Sequence, residues 1–442
     1  DSRISAERIK SDVIDALSFF GLEIKDCALA STPAMFMTTK MLGCDGAVQI
    51  TASHHPWDRN GLKFFTPDGG LSGDEIKSIL EYAEEHESGS CPERLNLQEV
   101  DFMSVYCEHL CNMIRKGVKS DDYERPLKGL KIVVDAGNGV GGFYAEKVLS
   151  PLGADTTGSR YLEPDGMFPN HIPNPENETA MNSVREATLG AKADLGVIFD
   201  TDVDRGGCVS SDGREINRNA LVALAAVIAL ESNPGGTVVT DSVTSAGLTE
   251  FIEKTLGGHH LRFKRGYKNV IDEAIRLEEN GINAPLAIET SGHAAFRENY
   301  YLDDGAYLIT KIIIKAADMK KQGKKLYDLI SELKYPAEEK EIRLKISEED
   351  FRAVGDRLLN ELADFAAKRE DWQIAPDSHE GIKIIFPKTE SFFILRQSVH
   401  DPVIPINFES AQNGGVKKAA SSLYEFIKDF DGVDISPLKQ IL

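Results

Sequence analysis

Leu195-Gly196-Val197-Ile198-Phe199-Asp200-Thr201-Asp202-Val203-Asp204-Arg205 sets an apolar pentapeptide directly against three carboxylates at alternate positions and an arginine. An apolar run of this length between polar neighbours reads as a strand buried on both faces. Asp200–Arg205 then reads as a loop that aims Asp200, Asp202 and Asp204 toward one point, because alternate side chains of an extended backbone share a side. Three like charges close behind a buried strand repel one another unless a cation sits among them, and oxygen ligands suit a hard cation such as magnesium or calcium. An EF-hand fails on position: its loop needs Gly at the sixth place and Glu at the twelfth, where this chain has Arg205 and Ser211. A solvated acidic turn is the plainer alternative. Arg205 beside a metal suggests a two-pronged contact with phosphate, or else an ion pair with one of the aspartates.

Outward from this stretch the same form recurs. Ala47–Ile50 runs into Thr51-Ala52-Ser53-His54-His55-Pro56, Leu286–Ile288 into Glu289-Thr290-Ser291-Gly292-His293, and Phe392–Leu395 into Arg396-Gln397-Ser398-Val399-His400-Asp401-Pro402. Further strands are expected at Leu130–Val134 and Thr237–Thr240, with helices over Ile9–Phe20, Asp74–Glu85, Tyr144–Leu152 and Leu221–Leu230. Strand–helix alternation predicts parallel sheets covered by helices. In such sheets ligands bind beyond the carboxyl ends of strands, so four strand ends converging on one cleft are expected.

Each loop has its own chemistry. Ser53 is able to carry a phosphoryl group if the charge is neutralised, and covalent carriage splits a hard step into two easier ones; a plain turn before Pro56 is the alternative. Glu289 and Ser291 suit sugar hydroxyls, and His293 titrates in the range needed for proton transfer; a capping turn reads equally well. Lys264-Arg265-Gly266-Tyr267-Lys268 is a basic cluster in an acidic chain, either a ligand contact or a solvated face. Arg396, Ser398 and His400 suit a phosphate dianion. Gly137-Asn138-Gly139-Val140-Gly141-Gly142 fits G-x-G-x-x-G, a dinucleotide fingerprint, but the segment near Asp155 does not read as a second strand ending in an acid. A tight turn packing a helix on a sheet accounts for it better.

The chain has 442 residues, 41% hydrophobic and 27% charged, with a formal net charge of −21. At roughly 100–200 residues per domain this suggests about three domains, and the polar stretches Lys119–Arg125, Asn233–Gly236 and Lys334–Glu341 raise the expected number to four. A chain this acidic repels nucleic-acid backbones at long range. No run of 18 apolar residues indicates a membrane span. No signal peptide is read at the start, and six cysteines without a C-x-x-C pair predict a reducing cytoplasm rather than a disulfide framework. Cys107 and Cys111 are expected to be small apolar residues on one helix face.

Together the four loops resemble the phosphoglucomutase/phosphomannomutase group of phosphohexomutases: Thr51–Pro56 is similar to its T-A-S-H-x-P phosphoserine motif, Asp200–Arg205 to D-x-D-x-D-R, Glu289–His293 to E-x-S-G-H, and Arg396–Pro402 to its C-terminal phosphate loop. The order is the family's, and the likeness spans nearly the whole chain. The resemblance implies an α/β fold of three similar mixed or parallel-sheet domains plus a smaller C-terminal α+β domain around a central cleft. The divisions expected are 1–125 with the phosphoserine loop, 126–235 with the metal, 236–340 with the sugar and 341–442 with the phosphate. It implies an intramolecular phosphotransferase interconverting hexose 1-phosphate and hexose 6-phosphate of glucose or mannose, with magnesium and a hexose 1,6-bisphosphate primer, as a monomer or homodimer. By the same likeness Ser53 is phosphorylated and holds the metal with Asp200, Asp202 and Asp204; His54, Lys63, Arg205 and His293 serve catalysis; and Arg3, Arg265, Lys268, Glu289, Ser291, Arg396, Ser398 and His400 bind substrate. Two departures stand out. Val399, His400 and Asp401 replace the Gly, Thr and Glu of R-x-S-G-T-E-P, with Pro405 where another arginine follows. The chain also opens at Asp1-Ser2-Arg3, which resembles a motif lying after the family's first strand and T-S-G or T-D-G loop, so an incomplete first domain is expected. The alternatives are a nucleotide-dependent dehydrogenase and a phosphosugar-binding protein without catalysis.

Overall fold

The continuous apolar runs form strands at Leu195–Phe199, Thr237–Thr240 and Leu286–Ile288, each buried along its whole length. A computed structural model describes residues 1–86, 94, 96–376, 378–398 and 401–442; Cys91, Val399 and His400 lie outside them. The chain divides into two compact units: Asp1–Gly236 with Ala274–Ser331, and Thr237–Glu273 with Glu332–Leu442.

In the first unit Ile132–Asp135 pairs in parallel with Leu195–Phe199, and Gly206–Ser210 returns antiparallel on the other side, Phe199 opposite Gly206. All residues of these three strands are buried, which is why they carry no polar alternation. Helices Glu178–Ala191 and Gly305–Lys321 pack on this sheet. Ala47–Ile50 pairs antiparallel with Leu62–Thr66, Gln49 opposite Lys63, and Leu286–Ile288 pairs antiparallel with Ala294–Phe296. The sheets are therefore mixed, as the resemblance implied, and not parallel throughout, as strand–helix alternation alone suggests. A loop without a helix joins each of these antiparallel pairs, whereas helices lie between the parallel strands Ile132–Asp135 and Leu195–Phe199. The helix at Tyr144 is a six-residue π-helical turn, Tyr144–Leu149, shorter than its apolar pattern suggested. Cys107 and Cys111 are buried on the helix Phe102–Val118.

In the second unit Thr237–Thr240 runs parallel to His259–Arg262. Its larger part is a six-stranded sheet in the order Gln373–Ile374, Ile382–Phe386, Ser391–Leu395, Val403–Ser410, Glu338–Ile346, Val433–Asp434, each neighbour antiparallel. Helices Phe351–Ala366 and Gly415–Ile427 give Leu358, Leu362, Ala420 and Leu423 to one core with Trp372, Phe393 and Ile406. The Arg396 loop thus leaves an antiparallel strand, not the parallel-sheet end expected. Among the described residues no helix is long and apolar enough to cross a membrane.

Candidate active site

Asp200 follows the last residue of a fully buried strand, and its own side chain is buried with those of Asp202 and Asp204. Between the latter two, Val203 takes φ +67°, a left-handed conformation that a β-branched residue rarely adopts. One ligand oxygen from each of Asp200, Asp202 and Asp204 lies within 4.8 Å of the others.

The neighbours of this triad are mostly cations and hydroxyls. Lys63, across the hairpin from Gln49, places Nζ 2.8 Å from Asp202 Oδ2 and 2.6 Å from Asp204 Oδ2. Thr32 donates through Oγ1 to Asp202 Oδ2 at 2.5 Å and through its amide to the Asp202 carbonyl at 2.9 Å. Asp200 accepts from the Arg205 amide at 3.1 Å and from Nε at 3.3 Å. Yet Asp202 Oδ1 and Asp204 Oδ1, both buried, accept no hydrogen bond among the described residues. Buried carboxylate oxygens ordinarily find a donor, so two orphans on members of a three-carboxylate cluster fit a hard cation. The ionisation pattern agrees. Burial and the Asp204 and Asp202 charges push Asp200 well above the carboxylate range. Burial opposes ionisation of Asp204 too, but Lys63, His293 and Arg205 outweigh it and hold that carboxyl below its ordinary value.

Ser53 stands at the edge of the triad. Its backbone has φ +49°, and its Oγ donates toward Asp200 Oδ2 at 3.3 Å. Arg205 Nη2 reaches Ser53 Oγ at 3.2 Å and His54 Nδ1 at 2.5 Å. The ion pair with an aspartate therefore forms, and the same guanidinium that makes it also touches the serine. Burial, then the Arg205 charge, pulls His54 down to about 4, so its imidazole is neutral at physiological pH. Arg3 lies behind this loop and is 2% exposed. It ion-pairs with Asp1 and donates to the carbonyls of Ser53 at 2.6 Å and His55 at 2.5 Å, a position that braces the serine loop.

The Glu289–His293 loop joins the same cluster. Gly292, at φ +97°, lies so near Gly206 that a Cβ would come within 2.8 Å of its carbonyl oxygen, and only glycine allows both. That approach brings His293 beside Arg205. His293 Nδ1 is 2.5 Å from Asp303 Oδ2 and 4.0 Å from Asp204 Oδ1. Burial lowers its basicity, but the Asp303 and Asp204 charges prevail and lift it to about 9, so it rests as a cation. Glu289 and Ser291 are both buried, the serine donating to Glu289 Oε2 at 3.3 Å. Sequence reasoning missed Thr32 and Asp303, whose positions show only when the helix start and the segment after Phe296 fold back on the triad.

The glycine stretch Gly137–Gly142 packs on the same loop. A Cβ on Gly139 would stand 2.7 Å from the Thr201 carbonyl oxygen, and the Val140 amide donates to that oxygen at 2.8 Å. Its amide is spent on the protein's own chain, as a tight turn requires.

In the second unit Arg396 is 7% exposed. Nη2 reaches Asn407 Oδ1 at 3.4 Å, Nη1 lies 3.9 Å from Glu380 Oε1, and Nε has no hydrogen-bond partner among the described residues. Burial, with the Arg265 charge adding to it, pulls its basicity down. Ser398 Oγ accepts from the Asp401 amide at 3.2 Å, capping a turn. Lys268 pairs with Asp272 at 2.5 Å on a helix surface. His400 lies outside the described residues.

Three family models match the chain: phosphoglucomutase/phosphomannomutase alpha/beta/alpha domain I over residues 1–89, domain II over 104–213 and domain III over 217–335. The chain belongs to the phosphoglucomutase/phosphomannomutase family. It is by that membership an isomerase working by phosphoryl transfer. A phosphoglucomutase/phosphomannomutase of Thermococcus kodakarensis is 32% identical over 93% of this chain and 84% of its own length. A phosphoglucomutase of Neisseria gonorrhoeae is 28% identical over 95% and 85%. The crystal structure of a phosphoglucomutase/phosphomannomutase family protein from Burkholderia thailandensis superposes with a TM-score of 0.80 at 26% identity, over 97% of this chain and 87% of that one.

Proposed function

We propose that the protein interconverts the 1-phosphate and 6-phosphate of glucose, mannose or both, with Ser53 as phosphoryl carrier and a hexose 1,6-bisphosphate as intermediate and primer. The observation that carries this reading is Ser53 Oγ, 3.3 Å from Asp200 and 3.2 Å from Arg205, at the edge of a buried triad with two unpartnered oxygens. Asp200, Asp202 and Asp204 would hold magnesium together with an oxygen of phosphorylated Ser53. Bound there, magnesium would offset charge on the transferring phosphoryl group. Phosphoryl transfer asks the protein mainly for position and charge. Arg205 holds Ser53 and Asp200 in one fork. Its charge and those of Lys63 and His293 face the group in transit. When a sugar hydroxyl attacks the phosphoserine, its oxygen bonds to phosphorus as the phosphorus–Ser53 Oγ bond breaks, and the proton that the hydroxyl gives up is balanced by one delivered to Ser53 Oγ. His293, a cation held by Asp303, is the donor we assign to Ser53 Oγ, and the hydroxyl's proton restores it through solvent; Lys63 contributes its positive charge beside Asp202 and Asp204. His54, neutral, accepts from Arg205 and fixes the fork. Arg3 braces the Ser53 turn.

Glu289 and Ser291 take sugar hydroxyls, as paired acceptor and hydroxyl suit them. Arg396, Arg265 and Ser398 take the phosphate that is not transferred, with His400; Lys268 helps tell the two orientations of the sugar apart. The four-part division 1–125, 126–235, 236–340 and 341–442, a cytoplasmic location and a monomer or homodimer belong to the same proposal. A dehydrogenase draws no support from Gly137–Gly142, whose turn is filled by the chain itself.

The test is Ser53→Ala, assayed with glucose 1-phosphate, magnesium and glucose 1,6-bisphosphate. Turnover should fall by roughly 10³-fold or more, as when a nucleophile is removed elsewhere, and intact mass should lose any phosphate on residue 53. Near-native turnover would remove the phosphoserine mechanism; a folded native protein with no turnover would leave only sugar-phosphate binding.

A further inference from the structure

We infer that Glu380 sets how tightly the Arg396 pocket holds an anion, by occupying the pocket's donors with its own carboxylate. The inference rests on the reading that Arg396 takes the phosphate that is not transferred. All the groups concerned belong to the second unit.

Glu380 precedes Gly381 at the head of the strand Ile382–Phe386. Its Oε2 accepts from the Ser242 hydroxyl at 2.5 Å and from the Arg265 amide at 3.1 Å, and its Oε1 stands 3.9 Å from Arg396 Nη1. A hydroxyl, a backbone amide and a guanidinium are the donor types that gather phosphate oxygens. Here they converge on an internal carboxylate. The backbone beneath it is pinned, since a Cβ on Gly381 would come within 2.1 Å of the Leu395 carbonyl oxygen.

Arg396 shows that the internal anion is an incomplete partner. At 3.9 Å the Glu380 contact is an ion pair in distance but not a hydrogen bond. Nε makes no hydrogen bond among the described residues, and Nη2 finds Asn407 only at 3.4 Å. A guanidinium this buried ordinarily spends its donors. Arg396 therefore keeps donors for an entering anion, while the Ser242 hydroxyl and the Arg265 amide are already engaged. An entering phosphate either binds Arg396 next to a like charge or displaces the carboxylate and takes its donors. Both routes weaken anion binding relative to the same pocket without the charge. Glu380 is thus a positioning and selecting residue, and the ligand class it acts on is a phosphate monoester or inorganic phosphate.

The experiment uses the full chain with inorganic phosphate as competitor of glucose 1-phosphate, and compares wild type, Glu380→Gln, Glu380→Ala and Arg396→Ala. Glutamine keeps the size and an acceptor but removes the charge; alanine serves if glutamine destabilises the loop. Either variant should lower the phosphate inhibition constant and the KM for glucose 1-phosphate by about tenfold, with kcat changing less. An inhibition constant that is unchanged or higher in the folded variants overturns the inference. Arg396→Ala separates the two readings. If it weakens phosphate binding while the Glu380 variants do nothing, only the role of Glu380 is lost. If Arg396→Ala has no effect on phosphate or KM, the pocket assignment itself is lost.

Discussion

Arg205 is the residue on which most of the site depends. It is 2% exposed, and its fork meets Asp200, Ser53, His54 and Asn174. A lysine keeps the charge but is a point donor on a flexible stem. Arg205→Lys should therefore fold yet lose about 10²-fold or more in kcat, checked by steady-state rates beside a thermal melt. Wild-type kcat in a folded Lys variant would show that charge alone suffices. At this scale the sequence is only partly legible. Ser53, Asp200, Asp202, Asp204 and Glu289–His293 could be read because each follows a short apolar run and spaces its functional groups within one loop. Asp303 could not, since nothing near it in sequence signals that it will lie 2.5 Å from His293. Thr32 likewise reads locally as the start of a helix, with Ser31 as its cap and Pro33 beside it; its bond to Asp202 spans 170 residues.

Among the elements, the helix Gly305–Lys321 begins on a group with an unusual proton affinity. Asp304 caps it by accepting from the Tyr307 amide at 2.8 Å, and also accepts from the Tyr106 hydroxyl at 2.7 Å and from Asn299 at 3.3 Å. Burial, and to a lesser degree the Asp303 charge, raises its pKa to about 7, against the pull of those donors. A carboxyl with a raised folded pKa binds its proton more tightly when folded, so the stability it contributes is full near pH 4 and is lost as pH rises through about 7. Asparagine caps as well as aspartate and does not titrate. In urea denaturation, wild type should lose stability relative to Asp304→Asn between about pH 4 and pH 7, by up to about 1.4 kcal/mol per unit, and run parallel to it above. Parallel curves throughout would mean that Asp304 is not perturbed. Element identity itself was largely legible: Leu195–Phe199 and Leu286–Ile288 are strands as read, because buried apolar pentamers and trimers between polar loops have few other homes. Strand direction was not. Ala47–Ile50 and Phe392–Leu395 lie in antiparallel sheets, and direction depends on how far the chain travels before returning, which local pattern does not encode.

For the molecule as a whole, charge and connectivity pull in different directions from the local chemistry. A net charge of −21 leaves the surface unattractive to anions, so under the proposed function recognition of a phosphate falls to a few buried cations such as Arg205 and Arg396 rather than to long-range steering. Connectivity matters more. The first unit is interrupted: residues 237–273 belong to the other unit, and the chain returns only at Ala274 to supply His293, Asp303 and the helix Gly305–Lys321. On a translating ribosome, at about 5–20 residues per second, Lys63 waits roughly 10–50 s for His293 to be made. Throughout that time Asp200, Asp202 and Asp204 lack one of the cations that balance them. Assembly of the proposed phosphoryl-transfer centre is thus a late event in biosynthesis, not a property of the first half of the nascent chain. Pulse proteolysis of stalled nascent chains should find residues 1–236 unprotected until residue 331 has left the exit tunnel; protection already complete at residue 236 would contradict this.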